Sequence, residues 1–412
     1  MVEPAASLTE QLAAHLRRSV PLAMRQRARL HLLDWLGCVA GARRSDTAAL
    51  QRRGGGSAIE RATWLGNLLE MDDIHRTGIV HPGPVIWPAA LRAGASMDAC
   101  LDAGVRGYEA MVAVAATLDA HHYAFWHPTA TAGSFGAAAA AASLLDLDAG
   151  ATADALGLAG SVTGGLWQMR HAPGDGKQWH LAHARATGIS AAHHTRHGAR
   201  GPRQILEGPQ GLYAAACRAP RPMVLGEGWR IEEVSFKPWG ACRHAHPAID
   251  AALSLKREGK LTGEITVAAY RDALTFCDRP DPQSVVQAKF SLQHAIAIVM
   301  ARGVPQLADF EPEAIAALAP ERALVRVFEE PALTAAYPKH FGARVTSAAG
   351  SVLRTDTFGD PERPMAEADI VAKARTLMAW GGIDAAGTEA GVAAALEADD
   401  TTPLLDWLEA WL

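Results

Sequence analysis

The sequence predicts a mainly α protein with an α+β second region, and three observations carry that reading. Up to about residue 230, apolar residues recur at three- and four-residue intervals in alanine-rich stretches. Beyond that point, two-residue alternation and β-branched residues alternate with helical patterns. The chain has 412 residues, more than one hydrophobic core usually organises, so two domains are expected.

Taken in chain order, helical spacing predicts helices over Leu8 to Leu16, Arg25 to Val39, Gly107 to Leu118, Gly136 to Leu147 and Thr152 to Leu166. The stretches "WRIEEVSFKPW", "GEITVAAYRDALTF" and "GARVTSAAGSVLRTDTF" predict strands, with helices between them at His246 to Lys256 and Val285 to Ala301. "FGDPERP" reads as a loop, and helix returns over Glu367 to Met378 and in the last residues up to Leu412.

Composition excludes several function classes. Hydrophobic residues make up 49% and charged residues 20%, as in ordinary globular proteins. The formal net charge is -5 with no long run of like charges, which argues against a nucleic-acid groove or a polybasic membrane patch. A small molecule is the expected partner. Five scattered cysteines give neither a disulfide framework nor a zinc or iron–sulfur spacing. The N-terminal "MVEPAASLTEQLAAHLRRSV" reads as an amphipathic helix rather than a leader, so a cytoplasmic location is expected. No stretch reaches the roughly 18 uninterrupted apolar residues of a membrane span.

Four stretches concentrate chemistry. In "EMDDIHRTGIVHPG", Asp72 continues the inward stripe of Ile59, Ala62, Leu65 and Leu69, while His75 and His81 fall on a Gly- and Pro-rich connector. A carboxylate on an inward stripe is either hydrogen-bonded or part of a functional pocket, and loop histidines beside it suit proton transfer. Asp72 and Asp73 could equally satisfy backbone donors or pair with a lysine. A metal site is a third reading, although the spacing fits no compact ligand template. "FWHPTATAGSFGAAAA" sets His127 before Pro128 at a helix entrance. "GDGKQWHLAHARATG" places Lys177 and His180 after a glycine-rich turn, and "VSFKPWGACRHAHPAID" offers Lys237, Cys242 and Arg243, the last suited to bidentate recognition of a carboxylate. A capped helix, a solvated lysine and surface histidines are the structural alternatives.

Together these stretches resemble the MmgE/PrpD family over nearly the whole chain. "LEMDDIHRTGIVHPGPVIWPAAL" is similar to the family's acidic segment ending in His-Pro-Gly, and "WHPTATAGSFGAAAAAASLLDLD" to its Trp-His-Pro-Thr helix entrance. "GPRQILEGPQGLY", "SFKPWGACRHAHPAIDAAL", "AKFSLQHAIA" and "GDPERPM" follow in the family's order. The resemblance implies a large all-helical domain, residues 1–229 completed by 379–412, and a smaller α+β lid domain, residues 230–378, with the active site in the cleft. It implies a homodimer and catalysis without metal, iron–sulfur cluster or organic cofactor. The family's activities include dehydration of 2-methylcitrate, decarboxylation of cis-aconitate and epimerisation of iminodisuccinate. By position, His81, His127 and Lys177 fall on the family's active-site residues, and Lys237 on its lid-side lysine.

Departures from the family pattern are Glu70 for the usual Asp, Ile74 for the usual Thr, Ala182 for a Gly, and a compressed segment between Gly41 and Ala62. The expected function is therefore a cofactor-independent lyase or isomerase acting on a small polycarboxylic acid, through an enolate or carbanion that fixed positive groups stabilise. His81, His127, Lys177 and Asp72 are the expected catalytic residues. Glu70, Asp73, His180, Lys237, Cys242 and Arg243 are expected to line the substrate site. The alternatives are a catalytically silent or sensory polycarboxylate-binding protein of the same fold, and a metal-dependent hydrolase.

Overall fold

Small residues explain how the helices of the first unit meet. In a computed structural model, which describes residues 6–171 and 174–412, the Pro128–Leu144 helix is buried from Pro128 through Ala142 and packs against the Met97–Thr117 and Gly176–Arg196 helices. Its alanines and glycines let neighbouring backbones approach where larger side chains would hold them apart. The tightest approach is at Gly188, where a Cβ would lie 2.4 Å from the backbone nitrogen of Ala138. Gly188→Ala is therefore expected to lower stability by about 1–3 kcal/mol, read as a lower thermal midpoint.

The described residues divide into two units. The first comprises Met1–Leu68, Asp72–Val234 and Ala366–Leu412, and is helical throughout most of its length. The second comprises Leu69–Met71 and Ser235–Met365, and is α+β. The helical unit begins with Leu8–Leu16, entered through a reciprocal cap in which Ser7 and Glu10 satisfy each other's backbone N–H groups. Residues 1–5 of the predicted amphipathic stretch lie outside the described residues. Among the described residues, no helix is long and apolar enough to cross a membrane.

The α+β unit is built on a four-stranded sheet ordered Val325–Glu329, Ile265–Ala269, Ala343–Ser347, Gly350–Arg354. The first pair is parallel and the other two are antiparallel, with Ser347 opposite Gly350 at a tight hairpin. Inward residues alternate along Ala343–Ser347, as period-two patterning requires. Their face joins the His246–Arg257 and Leu292–Arg302 helices in one core containing Ile249, Val267, Ile296 and Val345.

Several sequence expectations need correction. The helix before the acidic segment is Ala58–Leu65 and ends at Gly66, so Asp72 is buried in a turn beyond it rather than on its stripe. Glu70, at φ 56°, turns the chain away from helical geometry. The Gly136 to Leu147 helix starts earlier, at Pro128, whose fixed φ suits a first helical position, and ends at Leu144. Thr152 to Leu166 is helical only within Ala149–Ser161, where Val162 leaves helical geometry as the C-cap, and the glycine pair Gly164–Gly165 follows. Most of "WRIEEVSFKPW" is not a strand: Arg230–Glu233 is a 3₁₀ turn and only Val234–Ser235 is extended. In "GEITVAAYRDALTF" the strand stops at Ala269 and Arg271–Cys277 is helical. Val285 to Ala301 is two helices, Val285–Lys289 and Leu292–Arg302, the second capped by Ser291. The strand Val325–Glu329 was not anticipated. Finally, the Glu367–Trp380 helix belongs to the helical unit, not to a second domain reaching residue 378. It packs on the Leu22–Gly41 helix, where a Cβ on Gly37 would meet the Cα of Ala374 at 2.9 Å.

Candidate active site

Two consecutive carboxylates hold the turn that carries His81. Asp72, buried in the helical unit, accepts the Asn67 side-chain amide at 2.7 Å on both oxygens and the His81 Nδ1–H at 2.8 Å. With Nδ1 engaged, the neutral imidazole presents Nε2 as its acceptor, and the 12% exposure of the side chain leaves it reachable. Asp73 turns the other way. Its oxygens accept Tyr108 Oη–H at 2.5 Å, His31 Nδ1–H at 2.7 Å and the Gly83 N–H at 2.9 Å. Burial pushes the Asp73 carboxyl up to about 6 against the lowering effect of these hydrogen bonds, and burial also holds His31 well below its ordinary value.

The loop between these anchors is strained. Ile79, a β-branched residue, sits at φ 52°, a conformation that costs roughly 1–3 kcal/mol and persists only when its surroundings enforce it. His75, read as a possible proton carrier, instead braces this loop. It is buried, contacts Glu233 Oε2 through Nε2 at 3.0 Å and accepts the Gly78 N–H on Nδ1 at 3.1 Å.

The second histidine turn adjoins the first. The His81 N–H donates to Thr129 Oγ1 at 3.1 Å, and Thr129 lies in the first turn of the Pro128–Leu144 helix that His127 precedes. The His127 side chain does not cap that helix. Its ring lies 4.6 Å from the Trp167 ring centroid, and its Nδ1 is 3.3 Å from His180 Nδ1. Burial, helped by His183, keeps the His180 imidazole below its ordinary value, which favours its neutral form. Gly165 makes this approach possible: its carbonyl accepts the His127 N–H at 2.8 Å, and a Cβ there would lie 3.0 Å from His180 Nδ1. Lys177 is half-buried three residues before His180, one helical turn away on the same face of the Gly176–Arg196 helix.

The other expected site residues belong to the α+β unit, and most are already charge-paired there. Buried Lys237 lies with its Nζ 3.4 Å from Glu70 Oε2. Arg243 does not present an open fork. Its Nη2 donates to both oxygens of Asp360, at 2.6 and 2.8 Å, while Asp360 also accepts Ser235 Oγ–H and the Thr357 N–H. The buried Arg243 Nη1 has no hydrogen-bond partner among the described residues. Cys242 is buried beside Cys277, whose thiol burial and the Cys242 contact push well above its ordinary value. Asp73 is engaged by Tyr108, His31 and Gly83, contacts that hold the turn carrying His81.

Sequence reasoning missed Asn67, His31, Tyr108, Thr129 and Asp360. Only Asn67, five residues before Asp72, lies near its partner in the chain. Elsewhere, in the α+β unit, His340, Asp356 and Glu362 bring ligand-type atoms within 4.8 Å of one another.

Residues 57–224 match the MmgE/PrpD N-terminal domain and residues 239–397 match the MmgE/PrpD C-terminal domain. The chain is 27% identical over 190 residues to cis-aconitate decarboxylase of Homo sapiens, a match spanning 43% of this chain and 39% of that protein. Both family domains are thus present in order, and the chain belongs to the MmgE/PrpD family.

Proposed function

We propose that this protein is a cofactor-independent lyase or isomerase of a small polycarboxylic acid, in which His81 and His127 move protons. The observation that carries the reading is the Asp72–His81 contact of 2.8 Å, which fixes one imidazole with Nε2 available beside a second histidine turn. Removal of the α-proton, in dehydration or epimerisation, or of carbon dioxide from a carboxylate, in decarboxylation, leaves negative charge on an enolate or carbanion, so the reaction needs positioned groups that take or give a proton and fixed cations. Asp72 orients His81 and stabilises the imidazolium that forms when Nε2 takes a proton. His127, with His180 at 3.3 Å, returns or relays a proton. Lys177 supplies positive charge on the same helix as His180.

Arg243 keeps a narrower part than the bidentate one expected from sequence. Asp360 holds Nη2, and within the α+β unit the buried Nη1 is left as a donor without a hydrogen-bond partner among the described residues. Within the α+β unit, Lys237 is charge-paired with Glu70. The family membership and the likeness to a cis-aconitate decarboxylase support a lyase. On this reading the enzyme works in the cytoplasm as a homodimer.

A proton NMR screen of tricarboxylic, hydroxy-dicarboxylic and imino-dicarboxylic acids in heavy water tests the proposal. At least one acid should lose a substituent or gain deuterium next to a carboxylate. Thermal stabilisation by such acids with neither event would replace the enzyme reading with that of a binding protein.

A further inference from the structure

We propose that Asp73, clamped by Tyr108 and His31, is the positioning element of the turn that carries His81. The inference rests on the proton-carrying role proposed for His81 and assigns to Asp73 no contact with substrate. Three features support it.

The clamp comes from two long helices. His31 lies on Leu22–Gly41 and Tyr108 on Met97–Thr117, and both donate to the same oxygen, Asp73 Oδ2, at 2.7 and 2.5 Å. The remaining oxygen, Oδ1, accepts the Gly83 N–H at 2.9 Å. Asp73 thereby ties the backbone two residues after His81 to the most buried part of the helical unit, where Tyr108 and His31 are 0% exposed.

The fit at Gly83 is specific. A Cβ there would stand 2.9 Å from Asp73 Oδ1 and 3.3 Å from Tyr108 Oη, so only glycine brings its N–H this close to the carboxylate. Pro82, between His81 and Gly83, has a restricted φ and transmits the anchor with little slack.

The loop also needs holding. Ile79 at φ 52° is stored strain two residues before His81, and a turn under strain relaxes when its anchor is lost. Asp72 fixes the imidazole and Thr129 fixes the His81 N–H, but neither fixes the chain beyond Pro82. Without Asp73 the imidazole would drift relative to a bound acid while Asp72 stayed attached to it.

The test compares Tyr108→Phe, Asp73→Asn and wild type by steady-state kinetics on the acid found in the screen and by histidine side-chain nitrogen–proton NMR. Asparagine at position 73 still offers an oxygen to Gly83, and phenylalanine at 108 removes one donor, so both variants retain volume and most of the core. Displacement by about 1 Å at a reacting group lowers rate by up to roughly 100-fold, and kcat is expected to fall by about 10- to 100-fold with KM within about twofold. The His81 ring signals should shift or broaden in both variants. Unchanged kcat and unchanged His81 signals beside a lowered thermal midpoint would overturn the proposal, leaving Asp73 a purely structural residue. The NMR arm needs no substrate. If wild type acts on no acid yet the His81 signals move in Asp73→Asn, the positioning role stands and the proton-carrying reading falls. If the signals do not move, the positioning role falls whatever the activity.

Discussion

His81→Gln is expected to lower kcat by roughly 100-fold or more with little change in KM, because the positioned acid or base of a proton transfer contributes about that much. Glutamine has nearly the reach of histidine, and its amide can still donate to Asp72, so the Asn67–Asp72 contacts at 2.7 Å should survive. What it lacks is a nitrogen that takes and releases a proton near neutral pH. The variant should therefore melt close to wild type while its turnover falls. Steady-state kinetics on the acid identified by the screen measures this. Near-normal turnover would remove His81 from the catalytic set and leave His127 as the remaining candidate.

The second large effect is on stability. Lys373, on the helix Glu367–Trp380, donates to Asp34 at 2.5 Å, and both side chains are almost wholly buried. Burial raises the Asp34 carboxyl to about 7 despite the lysine. In Lys373→Met an ionised Asp34 would be left without its counter-charge, a change that typically costs about 3–5 kcal/mol. The pH dependence follows from the direction of the shift. A carboxyl whose folded pKa lies above its unfolded value stabilises the fold most fully at pH below the unfolded value, near 4, and loses that contribution as pH rises through the folded value. Removing the lysine raises the folded pKa further, so the deficit of the variant should be largest near pH 8. By pH 5, where Asp34 is protonated in both proteins, the deficit should shrink. Denaturant unfolding at several pH values measures this. A deficit that is constant across that range would show that Asp34 does not titrate between them.

The two histidine turns were legible because their signals are local. A histidine followed by proline, with glycine or threonine next, marks a loop or helix entrance at His81 and His127, and Lys177 and His180 share a face at one-turn spacing. The division into a helical unit and an α+β unit was legible from the change of period. What the sequence hid is long-range pairing. Asp73 meets Tyr108 and His31 across 35 and 42 residues, and Arg243 meets Asp360 across 117, so no local pattern distinguishes a carboxylate that clamps a turn from one that faces a ligand. The same reason moved the second boundary. The Glu367–Trp380 helix carries Lys373, whose partner Asp34 lies 339 residues earlier. The strand Val325–Glu329 did have an alternating signal, "VRVFE", but its brevity between helical stretches masked it.

As a proton carrier, His81 must touch the acid being transformed. A crystal structure with the acid selected by the screen, bound to the chelator-treated protein, tests it most directly. His81 Nε2 is expected within roughly 2.6–3.2 Å of the departing or exchanging group, with Nδ1 still on Asp72. An acid bound in an ordered site that leaves His81 Nε2 without contact to it would show that His81 does not carry the proton.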